Sequence, residues 1–521
     1  MVKRIRPKYL GRAEWYHAEL ARRGVRLSKD ARRMPIFMAA GSGSGKSRFL
    51  GRLLAWMYFI SLGIPLVILD PHGVTIANFL DKLSRLPFTV LGKARERLWN
   101  RVRYVDMSGK LGQIVPFPLY YRQGSESLYE IAFRYIDVVR KIDPHLQSAS
   151  IEGYNAFKTV GANLGMILAG LGHQITEAPQ ILRYPEGWTT RARSLLDVYG
   201  EDIRPVLNFL NTYENLKEGP RYRQAASFLN KINQFELDPV MRAMFGAGRP
   251  GIDWQEVVDK RQAVLLDFQH VTDPERRQFL MMWAYQYFMN YIKQRGAGRH
   301  QPIGLIVDEL AALFPLSGLV ADQFASDLDE MINQIARNYS LYLTLATQEL
   351  YQFSERLQKT LMSMTLIQGR TSDPDASEML TRRLDRYDPY RVKHYENVWG
   401  SHYGEPVVLE QRPVYFTPEE QFILESYKYL DLKKFEFLVR LPRGEGDMSR
   451  RVQRMSIAGL DPGHFPNEGL IARAEALLMK RDGLPMEKAL AEVRERQDPQ
   501  KAVHGGIKAD SVFPASGEVD L

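Results

Sequence analysis

At 521 residues, 45% hydrophobic and 25% charged, the chain has the size and composition of a multi-domain globular protein with room for a large core. It contains no cysteine, which excludes a disulfide framework, a thiolate metal site and a cysteine nucleophile. The net charge of +9 is concentrated at the front, where residues 1–33 hold eleven Lys and Arg against Glu14, Glu19 and Asp30.

Such an arm suits phosphates on nucleic acid or on anionic lipid; a solvated tail is the competing reading. No secretory signal is visible, because the first apolar run comes late and lacks a small-residue cleavage site. The apolar run Met34–Ala40 ("MPIFMAA") predicts a strand. A glycine cluster follows, then an apolar helix over Arg48–Leu62 and a second strand over Leu66–Leu69, closed by "DPHG". Leu53–Leu69 approaches the length of a membrane span, but Gly63 and Pro65 interrupt it, so it reads as a buried helix and a buried strand. The expectation is therefore a cytoplasmic chain with no integral membrane span. Arg101–Ser108 predicts a third strand, and strands alternating with helices imply a parallel sheet covered on both faces.

From about Ser125 to Val258 long amphipathic runs follow one another without a β-rich interruption, which predicts an all-helical insertion. The strand pattern resumes at Gln262–Phe268, Pro302–Leu310, Leu341–Gln348 and Thr365–Thr371. Beyond these, Arg382–Tyr395 reads as a basic, tyrosine-rich helix. "VVLEQRPVYF" and "FEFLVRLPRGEGD" read as the two strands of a closing hairpin. A helical tail runs to about Gln497, and the last stretch is poor in large apolar residues and predicted disordered.

The glycine cluster carries the chemistry. Three glycines and three serines stand in the seven residues Gly41–Ser47, ahead of an apolar helix. Successive backbone N–H groups can wrap a phosphate chain only where side chains do not intrude, and the helix N-terminus that follows adds the positive end of its dipole. Ala40-Gly41-Ser42-Gly43-Ser44-Gly45-Lys46-Ser47 is the P-loop pattern with Ala at its first position. In that pattern Gly41–Ser47, with Arg48 after it, hold a nucleotide; Lys46 reaches the β- and γ-phosphates and Ser47 ligates Mg²⁺. The apolar strand of "LIVDEL" ends in Asp308, which is placed to hold Mg²⁺, and Glu309 follows as the base for the attacking water. An acidic helix N-cap is the competing reading for this pair. The strand "LTLATQ" ends in Gln348, a neutral donor able to sense a γ-phosphate, with Arg337 eleven residues earlier. Arg370 ends another strand, as a second arginine-finger candidate or as one half of a surface ion pair. His72 reads as a loop-stabilising or subunit-contact residue. The Arg and Tyr of "TRRLDRYDPYRVKHY" suit stacking on bases and contact with phosphates, although a solvated helix face or a subunit interface is the favoured reading.

The P-loop, "VILDPHG", "LIVDEL" and Arg337 with "LTLATQ" together resemble the HerA/FtsK superfamily of P-loop DNA pumps. Within it they are most similar to the HerA-type and TraG/TraD-type conjugative coupling ATPases. That resemblance implies an α/β, RecA-like sheet with an inserted all-α domain, and ATP and Mg²⁺ as cofactors. It also implies a homo-hexameric ring with DNA in its channel, with a nuclease, a relaxase or a membrane secretion complex as partner, at the inner membrane in the last case. The chain then divides into a basic arm (1–33), an ATPase core in two parts (34–124 and 259–464), an all-α insertion (125–258) and a helical, partly disordered tail (465–521). Two departures stand out: coupling proteins carry N-terminal membrane helices and HerA helicases an N-terminal β-barrel, and neither is visible ahead of residue 34. The rival from another class is an ATP-dependent switch or assembly protein that recruits partners without moving DNA.

Overall fold

The computed structural model describes residues 18–20, 23–25, 34–86, 95–124, 126–143, 151–298, 300–313, 326–332, 338–350, 352–385, 387–403, 405–440, 453–456 and 465–497. Its centre is an eleven-stranded sheet. Seven strands are parallel: β3 (Ile36–Ala39), β4 (Leu66–Asp70), β5 (Val102–Asp106), β7 (Ala263–Asp267), β8 (Ile303–Val307), β9 (Leu341–Thr347) and β10 (Thr365–Gln368). They lie in the order β10-β3-β9-β8-β4-β7-β5. Their near-continuous Val, Ile and Leu are buried, as a parallel sheet covered on both faces requires. Four antiparallel strands extend the β10 edge: β13 (Glu436–Arg440), β14 (Gln453–Ser456), β1 (Ala18–Leu20) and β2 (Arg23–Val25). Part of the basic N-terminal segment is thus a short ribbon on the sheet rather than a bare arm.

Helix α1 starts at Lys46–Arg48 and continues with wide i→i+5 bonding through Phe49–Ala55 and Met57–Ser61. It packs on α2 (Val74–Ser84), and the approach is close: a Cβ on Gly51 would lie 2.3 Å from the Thr75 carbonyl oxygen. After the small strand β6 (Gln113–Ile114), the described residues between 128 and 259 are helical with turns between. The principal members are α3 (Leu128–Ile142), α4 (Ile151–Leu171), α5 (Arg204–Glu214), α6 (Glu218–Ile232) and α7 (Pro239–Gly246). Ser127 and Glu130 close a reciprocal cap on α3. Tyr135 of α3 meets Phe157, Phe228 and Phe235, and also Phe279 of α8 (Pro274–Gln294), so one apolar cluster runs from the sheet into the helical block.

The C-terminal half differs from expectation in one region. The helix read over Arg382–Tyr395 ends early, as α9 (Pro374–Leu384), because "DPY" breaks it: Pro389 has no N–H to give, and the Asp388 carboxylate turns back to the Tyr390 N–H at 3.0 Å. The chain continues as a two-stranded ribbon of β11 (Val392–His402) and β12 (Glu405–Tyr415). The "VVLEQRPVYF" strand therefore pairs with β11, whereas "FEFLVR" is β13 and joins the main sheet beside β10. Helix α10 (Pro418–Leu430) separates them. The basic residues of this region face acids of the same chain, Arg391 with Glu425 and Lys393 with Glu420. The last two described helices, α11 (Glu468–Asp482) and α12 (Met486–Gln497), flank the two-residue strand β15 (Leu484–Pro485), which pairs with β6. No described helix is long and apolar enough to cross a membrane.

Candidate nucleotide site

The carboxyl ends of the parallel strands converge on the glycine loop between β3 and α1. Gly43 and Gly45 take positive φ, +77° and +102°, a backbone that a Cβ would strain, so the loop can turn its amides inward. Gly41 N–H donates to the Arg370 carbonyl at 2.9 Å, which ties the loop to the end of β10. Ser42 is exposed, while the Ser44 side chain is buried and its oxygen has no partner among the described residues.

Lys46 is buried beneath this loop. Its Nζ donates to the Asp308 carbonyl at 2.7 Å and to Glu309 Oε2 at 3.1 Å, and lies 3.1 Å from Asp308 Oδ1. Burial opposes its charge, but the Asp308 and Glu309 carboxylates outweigh burial and hold its pKa above the ordinary lysine value. Asp308 Oδ2 accepts from Ser47 Oγ at 3.2 Å and Thr75 Oγ1 at 2.8 Å. Glu309 Oε1 accepts from Thr347 Oγ1 at 2.7 Å and from the Gln348 backbone N–H at 3.3 Å. Lys46, Ser47, Asp308 and Glu309, far apart in sequence, are therefore in direct contact.

A second row of acids continues along the same sheet edge. Asp70, Asp267 and Asp106 stand in register at the ends of β4, β7 and β5. Burial, then Asp308 and Asp267, push the Asp70 pKa up to about 8, against the N–H groups of Ile76 and His72 that bond its carboxylate. His72 thus holds Asp70 through its backbone, and its side chain is exposed. Gln348 and Arg370 are exposed at the mouth of the site. Arg337 lies outside the described residues. Sequence reasoning missed Thr75, Thr347 and Glu349. Glu349 Oε1 would stand 3.7 Å from a Cβ at Gly41, and burial together with Asp373 raises its pKa. Thr347 directly precedes Gln348 in "LATQ", but no local signal marks Thr75.

Among the described residues no three His, Asp or Glu side chains form a metal site by themselves. One carboxylate and the two hydroxyls of Ser47 and Thr75 do converge, an all-oxygen set of the kind Mg²⁺ takes alongside phosphate oxygens. The residues present fit a nucleotide phosphate chain with Mg²⁺.

Fold and site together are those of a RecA-like P-loop NTPase. No protein-family model matches the chain, and no curated protein matches it in sequence. Solved structures do. The unbound monoclinic form of the bacterial conjugative coupling protein TrwBdeltaN70 aligns over 88% of this chain and 92% of its own, at 16% identity and a TM-score of 0.52. The plasmid coupling protein TrwB in complex with the ATP analogue ADPNP aligns over 88% and 92%, at 15% identity and a TM-score of 0.52. VirB4 of Thermoanaerobacter pseudethanolicus aligns over 85% and 96%, at 12% identity and a TM-score of 0.44. At these identities the likeness is one of fold, and the fold is the one that the sequence resemblance implies.

Proposed function

We propose that the chain is a Mg²⁺-dependent ATPase that drives DNA through a homo-hexameric ring, in conjugative transfer or HerA-like DNA processing. The observation that carries the hydrolytic part is Lys46 Nζ held between Asp308 and Glu309 beneath the loop, with Ser47 and Thr75 on the far oxygen of Asp308. Lys46 exchanges its carboxylate partners for phosphate oxygens when ATP enters. That exchange releases Glu309 Oε2, while Thr347 and the Gln348 N–H keep Oε1 in place, so the freed oxygen can take a proton from the attacking water. Bound Mg²⁺ supplies charge neutralisation at the phosphates. Gln348 and Arg370 are exposed where they can meet the terminal phosphate or a neighbouring subunit. Arg337, with Arg370 as its alternate, is assigned as the finger offered to the next subunit's ATP.

The translocating part rests on the fold likeness to TrwB over most of both chains, on the motif order, and on the basic segment 1–33. ATP turnover measured with and without single- and double-stranded DNA, beside the mass of the oligomer, tests the reading. DNA-stimulated turnover by a ring is expected, and its abolition in Glu309→Gln with ATP binding kept. Turnover indifferent to DNA in a monomer would favour the recruiting switch instead.

A further inference from the structure

The side of the P-loop away from Glu309 carries a second group of contacts. Strand β3 leads into the loop, with β9 and β8, the strands of Thr347 and Asp308, on one side and β10 and β13 on the other. On the β13 side, the Arg48 guanidinium lies over two phenylalanine rings, 5.6 Å from the centre of Phe435 and 5.7 Å from that of Phe465. Phe435 is buried and built into the loop. Its N–H donates to the Ser44 carbonyl at 2.9 Å, and a Cβ on Gly45 would lie 2.3 Å from its ring. It takes φ +68°, a conformation costly for a bulky residue and kept only where the surroundings impose it. The neighbouring contact of Phe437 with Phe49, ring centres 5.5 Å apart, fixes β13 to α1. Phe465 is different: it is 74% exposed, a large apolar ring left in water beside a phosphate cradle.

We infer that Phe465, backed by Arg48 and Phe435, is the platform on which the base of the bound nucleotide stacks. This rests on the phosphate-site reading above. A nucleotide whose terminal phosphate meets Lys46 and Glu309 runs its other end away from β8, past the start of α1, where Arg48 holds the rings of Phe435 and Phe465. A purine has a broad π face, and an aromatic ring supported by a guanidinium is the surface that takes one. The contact is made through the face of the base and so adds affinity for the nucleoside end without touching the phosphates.

Titration calorimetry of the full chain with Mg²⁺ and either ATP or inorganic tripolyphosphate separates the two ends. Phe465→Ala removes an exposed ring and leaves the fold intact. It should weaken ATP binding about tenfold, on the scale of one lost base stack, and leave tripolyphosphate binding unchanged. Phe465→Trp should keep the ATP affinity. Equal ATP affinity in Phe465→Ala and the unaltered chain would overturn the inference, as would an equal loss for both ligands. An unaltered chain that binds neither ligand would overturn the phosphate-site reading, and the platform with it.

Discussion

Glu309 is shared between Lys46 on one oxygen and the Thr347 hydroxyl on the other. Remove the hydroxyl and Oε1 keeps only the long bond from the Gln348 N–H, so once Lys46 leaves Oε2 for the phosphates the carboxylate can rotate away from the position its role requires. Thr347→Val, nearly the same shape, should lower kcat about tenfold while KM for ATP moves little, because the lost contact orients the base and does not bind ground-state nucleotide. Steady-state kinetics checks this. A KM that rises with kcat unchanged would instead place Thr347 in nucleotide binding. At this scale the sequence was legible where chemistry is contiguous: Gly41 to Ser47 is one uninterrupted device. Asp308 and Glu309 were legible because they end an apolar strand. Thr75 was not, since its partner Asp308 is 233 residues away, and a threonine in the first turn of a helix looks the same whether it caps, packs or positions a carboxylate.

Strand ends and one late helix create a titrating cluster. Helix α11 lies against β5 and brings Glu475 to Asp267 and Asp106. Burial, then those two carboxylates, push the Glu475 pKa up to about 7, with Lys110 opposing. Burial likewise raises Asp267, against the Gln269 N–H and the Tyr104 hydroxyl that bond it. Because the folded pKa values of Asp70 and Glu475 exceed the unfolded ones, these two groups keep protons between about pH 4 and pH 8 that they lose in the unfolded chain, and their contribution to stability falls as pH rises through that window. Glu475→Gln removes one charge from the cluster. It should raise the thermal midpoint at pH 8 and change it little at pH 5, as differential scanning fluorimetry can read. A gain of the same size at both pH values would show that packing, not charge, is what Glu475 disturbs. The strands themselves were legible because buried parallel strands read as continuous apolar runs. The region after Leu384 was not, because Arg and Tyr serve a helix face or a solvent-exposed ribbon equally well; the alternation in "VKHYENVW" and Pro389 held the evidence for a strand.

Across the whole molecule, the C-terminal helices join the sheet to the helical block. At one end the Asn467 N–H donates to Asp81 at 3.0 Å, and Arg481 donates to the carbonyls of Trp99 and Val102 beside β5. At the other end Ala489 packs with Ile114 and Ala243, and buried Val493 stands against Gly246 of α7, where a Cβ would meet it at 2.6 Å. Arg496 donates to the Gly246 carbonyl and faces the buried Glu177 carboxylate at 3.6 Å, and Gln497 donates to the Thr176 carbonyl at 2.7 Å. Burial raises the Glu177 pKa and Arg496 opposes it, so this arginine is the neighbour that makes a charge there tolerable. A chain ending at Gly483 keeps α11 on the sheet but uncovers Gly246 and Ile114 and leaves Glu177 without its cation. The loss of one buried valine and its smaller neighbours, with an uncompensated acid, is on the order of 3 kcal/mol. For a unit of 150–250 residues that lowers the melting midpoint by about 6 to 12 °C. Scanning calorimetry of the shortened chain should show the helical block melting first, ahead of the sheet, where the longer chain melts with the two together. Arg496→Ala alone should reproduce part of the shift at pH 8 and less of it at pH 5, where Glu177 can take up a proton. A midpoint unmoved by the truncation would mean that α12 only rests on the helical block and does not hold it to the sheet.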